Sequence, residues 1–153
     1  MLNNRNRGGF RAVTNFQQPD FFAASAAGRT LAPGGSQLVL AEWTAPGCVK
    51  GSEPELIAPL HLHHEDDEAW YVLEGMLAFR IGDEIVEASA GGAVIAPRGK
   101  PHTYWNPKPE PARYLLVMTA RINDLIGAIH AADRRDPDSM KALFERHASE
   151  LVR

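Results

Sequence analysis

Three histidines and a glutamate in two stretches of the chain have the side chains and the spacing of a metal site. The first stretch, HLHHEDDEAWYVLEG, begins at His61, and the second, GGAVIAPRGKPHTYWN, contains His102. His61 and His63 are two residues apart, so both imidazoles project from the same face if this segment is a β-strand. Glu68 lies on the next predicted strand and His102 on a later one. The pattern predicts three imidazoles and one carboxylate on adjacent strands.

This donor set limits the kind of metal. A mixture of imidazole and carboxylate donors suits Fe, Mn, Ni, Cu, Co or Zn better than Ca or Mg, which prefer oxygen ligands alone. The set has no thiolate, which argues against a structural zinc site of the cysteine type. Four protein ligands leave one or two positions open on a metal that takes five or six, as a catalytic metal needs. We therefore predict one divalent transition metal ion as the cofactor.

Short strands separated by turn residues have to position these side chains. Tight hairpin turns are predicted at two short sequences with turn residues, EGM from Glu74 and GDE from Gly82. Many short strands with Gly and Pro between them indicate an all-β sandwich or barrel. The predicted strands cover residues 37–45, 56–63, 68–74, 76–81, 84–88, 93–96, 101–106 and 112–119.

The two ends of the chain differ from this strand region. Residues 1–36 are predicted to form a polar arm with a short helix or turn, FFAASAAG, and residues 37–119 the barrel. Residues 120–153 are predicted to be helical within the same domain. Apolar residues recur there at the spacing of an amphipathic helix, and a second helix follows the N-cap candidate Asp136 and Pro137. Both helices are too short to be stable alone, so we expect them to pack on the barrel or across a dimer interface.

Composition excludes several classes of function. The 153 residues carry a net charge of −3, which argues against a nucleic-acid binder because such proteins need a basic face. No apolar run approaches the roughly 20 residues that span a bilayer, so no membrane partner is expected. Cys48 is the single cysteine. It suits a reducing compartment, and we predict a cytoplasmic protein in which Cys48 is a structural residue.

The two stretches resemble the two sequence motifs of the cupin superfamily. The first motif is matched at its usual spacing by His61, His63, Glu68 and Gly75, and the second by Gly91, Pro97, Gly99, His102 and Asn106. One departure is Glu55, at a position where the first motif often begins with glycine. The resemblance covers roughly residues 37–119. It implies a jelly-roll barrel, the double-stranded β-helix, with the metal held inside by His61, His63, Glu68 and His102.

The residues around the predicted ligands are predicted to have roles other than metal binding. His64 follows His63 directly, so strand alternation turns it outward. Glu65, Asp66 and Asp67 compete with Glu68 for the place of the carboxylate ligand. The motif spacing back from Gly75 favours Glu68, which leaves the other three for a solvated loop. His130 and His147 fall in the predicted helices and are interpreted as helix-surface residues.

Strand alternation also predicts a pocket beside the metal. If Glu68 points inward, Trp70 and Val72 do too, and Tyr104 points inward with His102. Trp70 and Tyr104 would then wall the metal with flat apolar surface, or they are simply core aromatics. An apolar pocket with a few polar groups is the usual design for a small organic ligand.

The resemblance extends to quercetin dioxygenase-like cupins. It implies a metal-dependent dioxygenase that acts on a small, oxygen-rich substrate of the flavonol or enolisable type, with Glu68 as the general base. Two alternatives stay open because the same barrel hosts other functions. One is a metal-dependent isomerase or lyase, and the other is a small-molecule-binding protein without catalysis. The resemblance also implies a homodimer.

Overall fold

The computed structural model of the chain describes residues 19–49 and 51–152. The first 18 residues of the predicted arm lie outside this part of the chain. The helices α1 (Ala120–Ala131) and α2 (Pro137–Arg146) lie between the last two strands. The strands are β1 (Thr30–Leu31), β2 (Leu38–Ala45), β3 (His61–His63), β4 (Glu68–Glu74), β5 (Met76–Ile81), β6 (Glu84–Ser89), β7 (Ala93–Ala96), β8 (His102–Trp105), β9 (Ala112–Thr119) and β10 (Ser149–Leu151).

Two antiparallel five-stranded sheets form the barrel. Sheet 1 has the strand order β1-β2-β9-β4-β7, and sheet 2 has the order β10-β3-β8-β5-β6. Alternate side chains of both sheets meet in one core, for example Val39 and Leu116 from sheet 1 and Leu77 and Phe79 from sheet 2. The inner faces of both sheets are therefore apolar, as sheet-on-sheet packing requires. The predicted all-β barrel with two C-terminal helices is confirmed.

Gly75 differs from its predicted role in a hairpin. Strand β4 pairs with β7 and β9, whereas β5 pairs with β6 and β8, so the chain crosses from sheet 1 to sheet 2 at Gly75. Its φ is 75°, and a Cβ there would lie 2.8 Å from the carbonyl oxygen of Pro111, so glycine is required. The hairpin predicted at Gly82 is confirmed, because Ile81 pairs with Glu84 across a two-residue turn.

Other differences concern short elements. Of the predicted strand 56–63, only β3 is a strand, and Leu56 makes an isolated bridge to Trp105. The FFAASAAG segment, predicted to be a short helix or turn, forms turns. Strands β1 and β10 were not predicted, since two or three residues are too few for an alternating pattern to show.

The two helices begin where the sequence provides caps. The Thr119 hydroxyl accepts a hydrogen bond from the backbone N–H of Ile122, and the Asp136 carboxylate accepts one from Ser139, as predicted for an N-cap. Ile122 of α1 belongs to the barrel core, and Leu125 of α1 shares a second apolar cluster with Phe144 of α2. Helix α1 therefore packs on the barrel, and α2 packs on α1. No helix in the described residues is long and apolar enough to cross a membrane.

Candidate metal centre

Three histidines lie on the inner face of sheet 2. His61 and His63 are buried and Leu62 between them is only half-buried, which follows the strand alternation. His61 is paired directly with His102 across β3 and β8. The ring centres of His61 and His102 are 4.4 Å apart, and those of His63 and His102 are 5.3 Å apart. One sheet therefore supplies all three imidazoles.

Glu68 reaches the histidines from the opposite sheet. It is the first residue of β4 in sheet 1, and its side chain is buried. The expectation of adjacent strands is therefore right for β3 and β8 and wrong for β4, because the loop of residues 64–67 carries the chain from one sheet to the other. The ligand atoms of the four residues all lie within 4.8 Å of one another. The two sheets converge on one point in the barrel.

Backbone carbonyls determine which ring nitrogen of two histidines faces this point. Nδ1 of His61 lies 2.8 Å from the carbonyl oxygen of Pro59, and Nδ1 of His102 lies 2.9 Å from that of Lys100. Because a carbonyl oxygen only accepts, Nδ1 of each ring is the donor. In a neutral ring, Nε2 then keeps a free lone pair, which is the form that binds a metal.

The donor atoms fit a cation. Nε2 of His63 is buried without a hydrogen-bond partner, and it lies 3.5 Å from Oε2 of Glu68. Nε2 of His102 lies 3.1 Å from the same oxygen. A carboxylate oxygen and nitrogen lone pairs repel one another unless a proton or a cation lies among them. Three imidazoles and one carboxylate match the donors of a divalent transition metal, so these residues could hold the ion.

The pKa values of two cluster residues keep them in the forms that bind metal. Burial is the main cause that lowers the pKa of His61 to about 4, and the neighbouring His102 lowers it further. Burial alone would raise the pKa of Glu68, but the neighbouring His102 and His63 rings outweigh it and bring the pKa to about 2. At neutral pH His61 is therefore uncharged and Glu68 is a carboxylate. Metal ligands need both forms.

His64 lies outside the cluster. Its side chain is half-exposed, and its Nε2 lies 3.4 Å from a carboxylate oxygen of Glu150. This placement follows from the strand alternation that puts His63 inside.

The three carboxylates between His64 and Glu68 hold their loop in place. Asp67 accepts two side-chain hydrogen bonds from Arg98, of 3.1 Å and 2.8 Å. Arg121, in the first turn of α1, pairs with both Glu65 and Asp66. Asp66 is buried. The expectation of a solvated loop is therefore right for the exposed Glu65 and Asp67 and wrong for Asp66. The ion pairs tie this loop to α1 and to the β7–β8 connection.

A cavity of about 310 Å³ adjoins the cluster. His61, His63 and Glu68 form part of its wall. No lysine or arginine of the described chain lines it. Most of the remaining wall is apolar and includes five side chains of the two helices: Ile122, Leu125, Ile126, Ile129 and Phe144. The helices thus complete the cavity that the barrel begins.

Of the three predicted pocket residues, Tyr104 lines this cavity. Trp70 and Val72 are buried in the core and are not part of the cavity wall. The ring centre of Trp70 lies 5.8 Å from that of His102 and 5.2 Å from that of Tyr104. Trp70 therefore supports two residues of the site from behind.

Three residues near the site were missed or misread in the sequence. Ser149 of β10 lies with its Oγ 2.7 Å from Nδ1 of His63. Tyr114 lines the cavity, and the alternation of β9 would have placed it inward. His130, interpreted as a helix-surface residue, is exposed but also belongs to the cavity wall. Only Ser149 had no signal, because β10 is too short to show a pattern.

With this geometry established, comparison with known proteins identifies the fold family. Residues 52–118 match the Cupin_2 family, described as "Cupin domain". The matched residues make up most of the barrel and have the sequence of a cupin domain. They contain all four cluster residues and end within β9. No curated protein matches the chain at a significant level.

Solved structures similar to this chain include three of bacterial origin. The TT1209 protein of Thermus thermophilus is 26% identical, with a TM-score of 0.47 over 55% of this chain and 73% of the other. The polyketide cyclase RemF of Streptomyces resistomycificus is 28% identical, with a TM-score of 0.47 over 60% and 62%. A sugar phosphate isomerase of Silicibacter pomeroyi is 27% identical, with a TM-score of 0.46 over 56% and 52%. The activities named there belong to those proteins.

Proposed function

We propose that this cupin is a metal-dependent dioxygenase that acts on a small, mostly apolar, enolisable molecule with two neighbouring oxygen atoms. The observation that carries the proposal is the cavity, in which a buried three-histidine, one-glutamate cluster adjoins otherwise apolar walls. A small number of polar groups in an apolar pocket is the common design of a site for a small organic molecule.

The charges around the cavity favour a substrate without phosphate. Phosphate groups are usually bound by arginine, lysine or several backbone N–H groups. The cavity wall of the described chain contains no arginine or lysine, and its permanent charge is the carboxylate of Glu68. Sugars would need many hydrogen-bonding partners, whereas five residues of the two helices contribute apolar surface here. A flavonol, catechol or β-diketone matches this lining better.

The side chains have distinct tasks in this proposal. His61, His63, His102 and Glu68 would hold a divalent transition metal, which as a Lewis acid lowers the pKa of a bound hydroxyl group and supports reaction with dioxygen. Glu68 is positioned to accept the proton of the substrate hydroxyl. The apolar side chains of α1 exclude water from the enolate, which would otherwise be protonated or solvated. Both atoms of the dioxygen would enter the substrate.

Oxygen uptake tests this proposal. The protein would be loaded separately with Fe(II), Mn(II), Ni(II), Co(II) and Cu(II) and mixed with flavonols, catechols and β-diketones in an oxygen-electrode cell. We expect one mole of oxygen consumed per mole of substrate converted with at least one pairing. Conversion of a substrate without oxygen uptake, also under argon or with Zn(II), would instead indicate an isomerase or lyase. Tight binding without conversion would indicate a binding protein.

A pair of neighbouring histidines provides the matched control. His63→Ala removes a cluster residue, whereas His64→Ala removes a half-exposed histidine one position away. We expect about one metal ion per chain by emission spectroscopy in the His64→Ala protein and a large loss of metal and of oxygen uptake in His63→Ala. Equal metal content in the two variants would show that the metal lies elsewhere.

A further inference from the structure

Two tyrosines in the wall of the cavity form a buried pair that joins the two sheets. Tyr104 belongs to β8 in sheet 2, and Tyr114 belongs to β9 in sheet 1. Their hydroxyl oxygens are 3.0 Å apart, and the two residues are only 4% and 1% exposed. Both side chains line the cavity together with Glu68. The pair is therefore a preformed polar group in a mostly apolar wall.

One of the two hydroxyl protons in this pair has no hydrogen-bond acceptor among the described residues. Two phenols carry two hydroxyl protons, and one of these lies between the two oxygens. Within the described chain neither hydroxyl has an acceptor other than its partner, and the indole N–H of Trp70, the other group close to the Tyr104 hydroxyl, is itself a donor. A buried donor without an acceptor costs about 1–3 kcal/mol, so such groups usually have a partner in the working protein. A ligand in the cavity can provide that acceptor.

Both hydroxyls act as donors and not as bases at neutral pH, because an ordinary tyrosine hydroxyl has a pKa of about 10 and burial disfavours its charged form. Both line the same cavity as Glu68, so the pair and the metal cluster face the same space.

We propose that the Tyr104–Tyr114 pair donates a hydrogen bond to one oxygen of a ligand whose neighbouring oxygen faces the metal cluster. The pair then selects small apolar molecules that carry two adjacent oxygens, such as catechols, α-hydroxyketones and enolised β-diketones. Molecules with a single oxygen reach the cluster but leave the donor unpaired, which lowers their affinity. This inference rests on the proposed function only in that both place the ligand in the same cavity.

Binding of two nitroaromatic probes tests the inference without any turnover. The zinc-loaded protein, which cannot carry out oxygen chemistry, is titrated with 4-nitrocatechol and with 4-nitrophenol, and Kd is read from the absorbance change of each probe. The double variant Tyr104→Phe/Tyr114→Phe keeps both rings and removes both hydroxyls. A hydrogen bond to a charged group is worth about 1.5–3 kcal/mol, so we expect its Kd for 4-nitrocatechol to rise about 10- to 100-fold. The Kd for 4-nitrophenol should stay within about threefold.

Other outcomes overturn the inference in distinguishable ways. An unchanged Kd for 4-nitrocatechol, or an equal loss for both probes, would remove the role of the pair and leave the proposed function standing. If the wild-type zinc protein binds neither probe, both the inference and the proposed function fail. Should the double variant fold or load zinc poorly, the two single Tyr→Phe variants decide. At least one of them has to lose the preference for 4-nitrocatechol, and two unchanged single variants would contradict the inference.

Discussion

Ser149 and His63 are hydrogen-bonded over 2.7 Å although 86 positions separate them in the chain. The two residues are directly paired in register across β10 and β3. The Ser149 hydroxyl donates its own proton to the carbonyl oxygen of His147, so it accepts from Nδ1 of His63. This fixes the proton of His63 on Nδ1 and presents Nε2 to the other cluster residues. The last strand of the chain thereby orients a predicted metal ligand.

Removing this hydroxyl should weaken metal binding. Partners that orient a metal-binding histidine typically contribute about 10- to 100-fold to metal affinity, so Ser149→Ala should lower the affinity for Zn(II) by that range. Competition with a chromophoric chelator would measure it. Ser149→Thr keeps the hydroxyl and should recover most of the affinity, which a purely structural effect of the position would not require. Ser52→Ala, at an exposed serine, is the control for the substitution itself. Equal affinities for Ser149→Ala and Ser149→Thr would contradict the orienting role.

The contrast between His63 and Ser149 shows which parts of the site a sequence can reveal. His61, His63 and Glu68 lie close together in the chain, and the two-residue period of a strand decides on which side each histidine lies. Local periodicity carries no information about which strand pairs with which. The position of Glu68 in the opposite sheet therefore required the structure, as did the partner of β10.

The cavity wall shows the same limit for the helices. The spacing of Ile122, Leu125, Ile126 and Ile129 predicted an apolar helix face, and such a face needs only something apolar to cover. Nothing in that pattern says whether the face packs on a filled core or borders a cavity. The role of α1 as one wall of the ligand cavity follows from the tertiary arrangement alone.

A larger side chain on α1 that fills part of the cavity should weaken ligand binding without weakening metal binding. Ile126 lines the cavity and is only partly buried, so Ile126→Trp would place a larger side chain into about 310 Å³ of space. We expect the metal content to stay near that of the wild type and the affinity for 4-nitrocatechol to fall at least tenfold, since the added ring and the probe occupy the same volume. Asp124→Trp, at an exposed position on the same helix, should change neither property. Unaltered probe affinity in Ile126→Trp would place ligand binding outside this cavity.

Acid should destabilise the metal-free protein through His61. Its pKa of about 4 lies below the ordinary value of 6.5, so the unfolded chain binds more protons than the folded chain between these two pH values. Stability therefore falls as the pH decreases through this window. Glu68, with a pKa of about 2, adds its own loss only below its ordinary value of 4.5. Between about pH 4.5 and 6.5 we expect His61 to contribute a loss on the order of 2–3 kcal/mol.

Urea unfolding in the presence of a chelator, repeated across this pH range, would measure that slope. His61 faces His63, His102 and Glu68, so the comparison has to keep those groups in place. His61→Gln retains a polar side chain of similar size without a titrating group and should flatten the slope. An identical slope in this variant and in the wild type would assign the acid sensitivity to other residues.

We predict that the expected homodimer forms through the outer face of sheet 1. One row of side chains runs across all five strands in register and is entirely apolar: Leu31, Leu40, Val117, Ala69 and Ile95. A second row contains Leu115, Tyr71 and Ala93 next to the buried Glu42, whose carboxylate is paired with Arg113. Ile95 is 63% exposed and Tyr71 is 44% exposed. The five strands contain 2, 8, 8, 7 and 4 residues, so at about 3.3 Å per residue and about 4.8 Å between strands the face measures on the order of 450 Å².

This area is more than half of the roughly 800 Å² per partner of a stable interface, and a second copy of the chain is a partner that matches it in size and in apolar character. We expect Ile95→Lys to place one charge from each copy in a dry interface and to shift the protein towards the monomer in sedimentation velocity experiments. Ile85→Lys changes an equally exposed isoleucine, 65% exposed, on β6 of sheet 2 and should leave the mass unchanged. A wild-type protein that sediments as a monomer at high concentration would contradict the homodimer. A dimer that survives Ile95→Lys but not Ile85→Lys would show that the homodimer does not use this face.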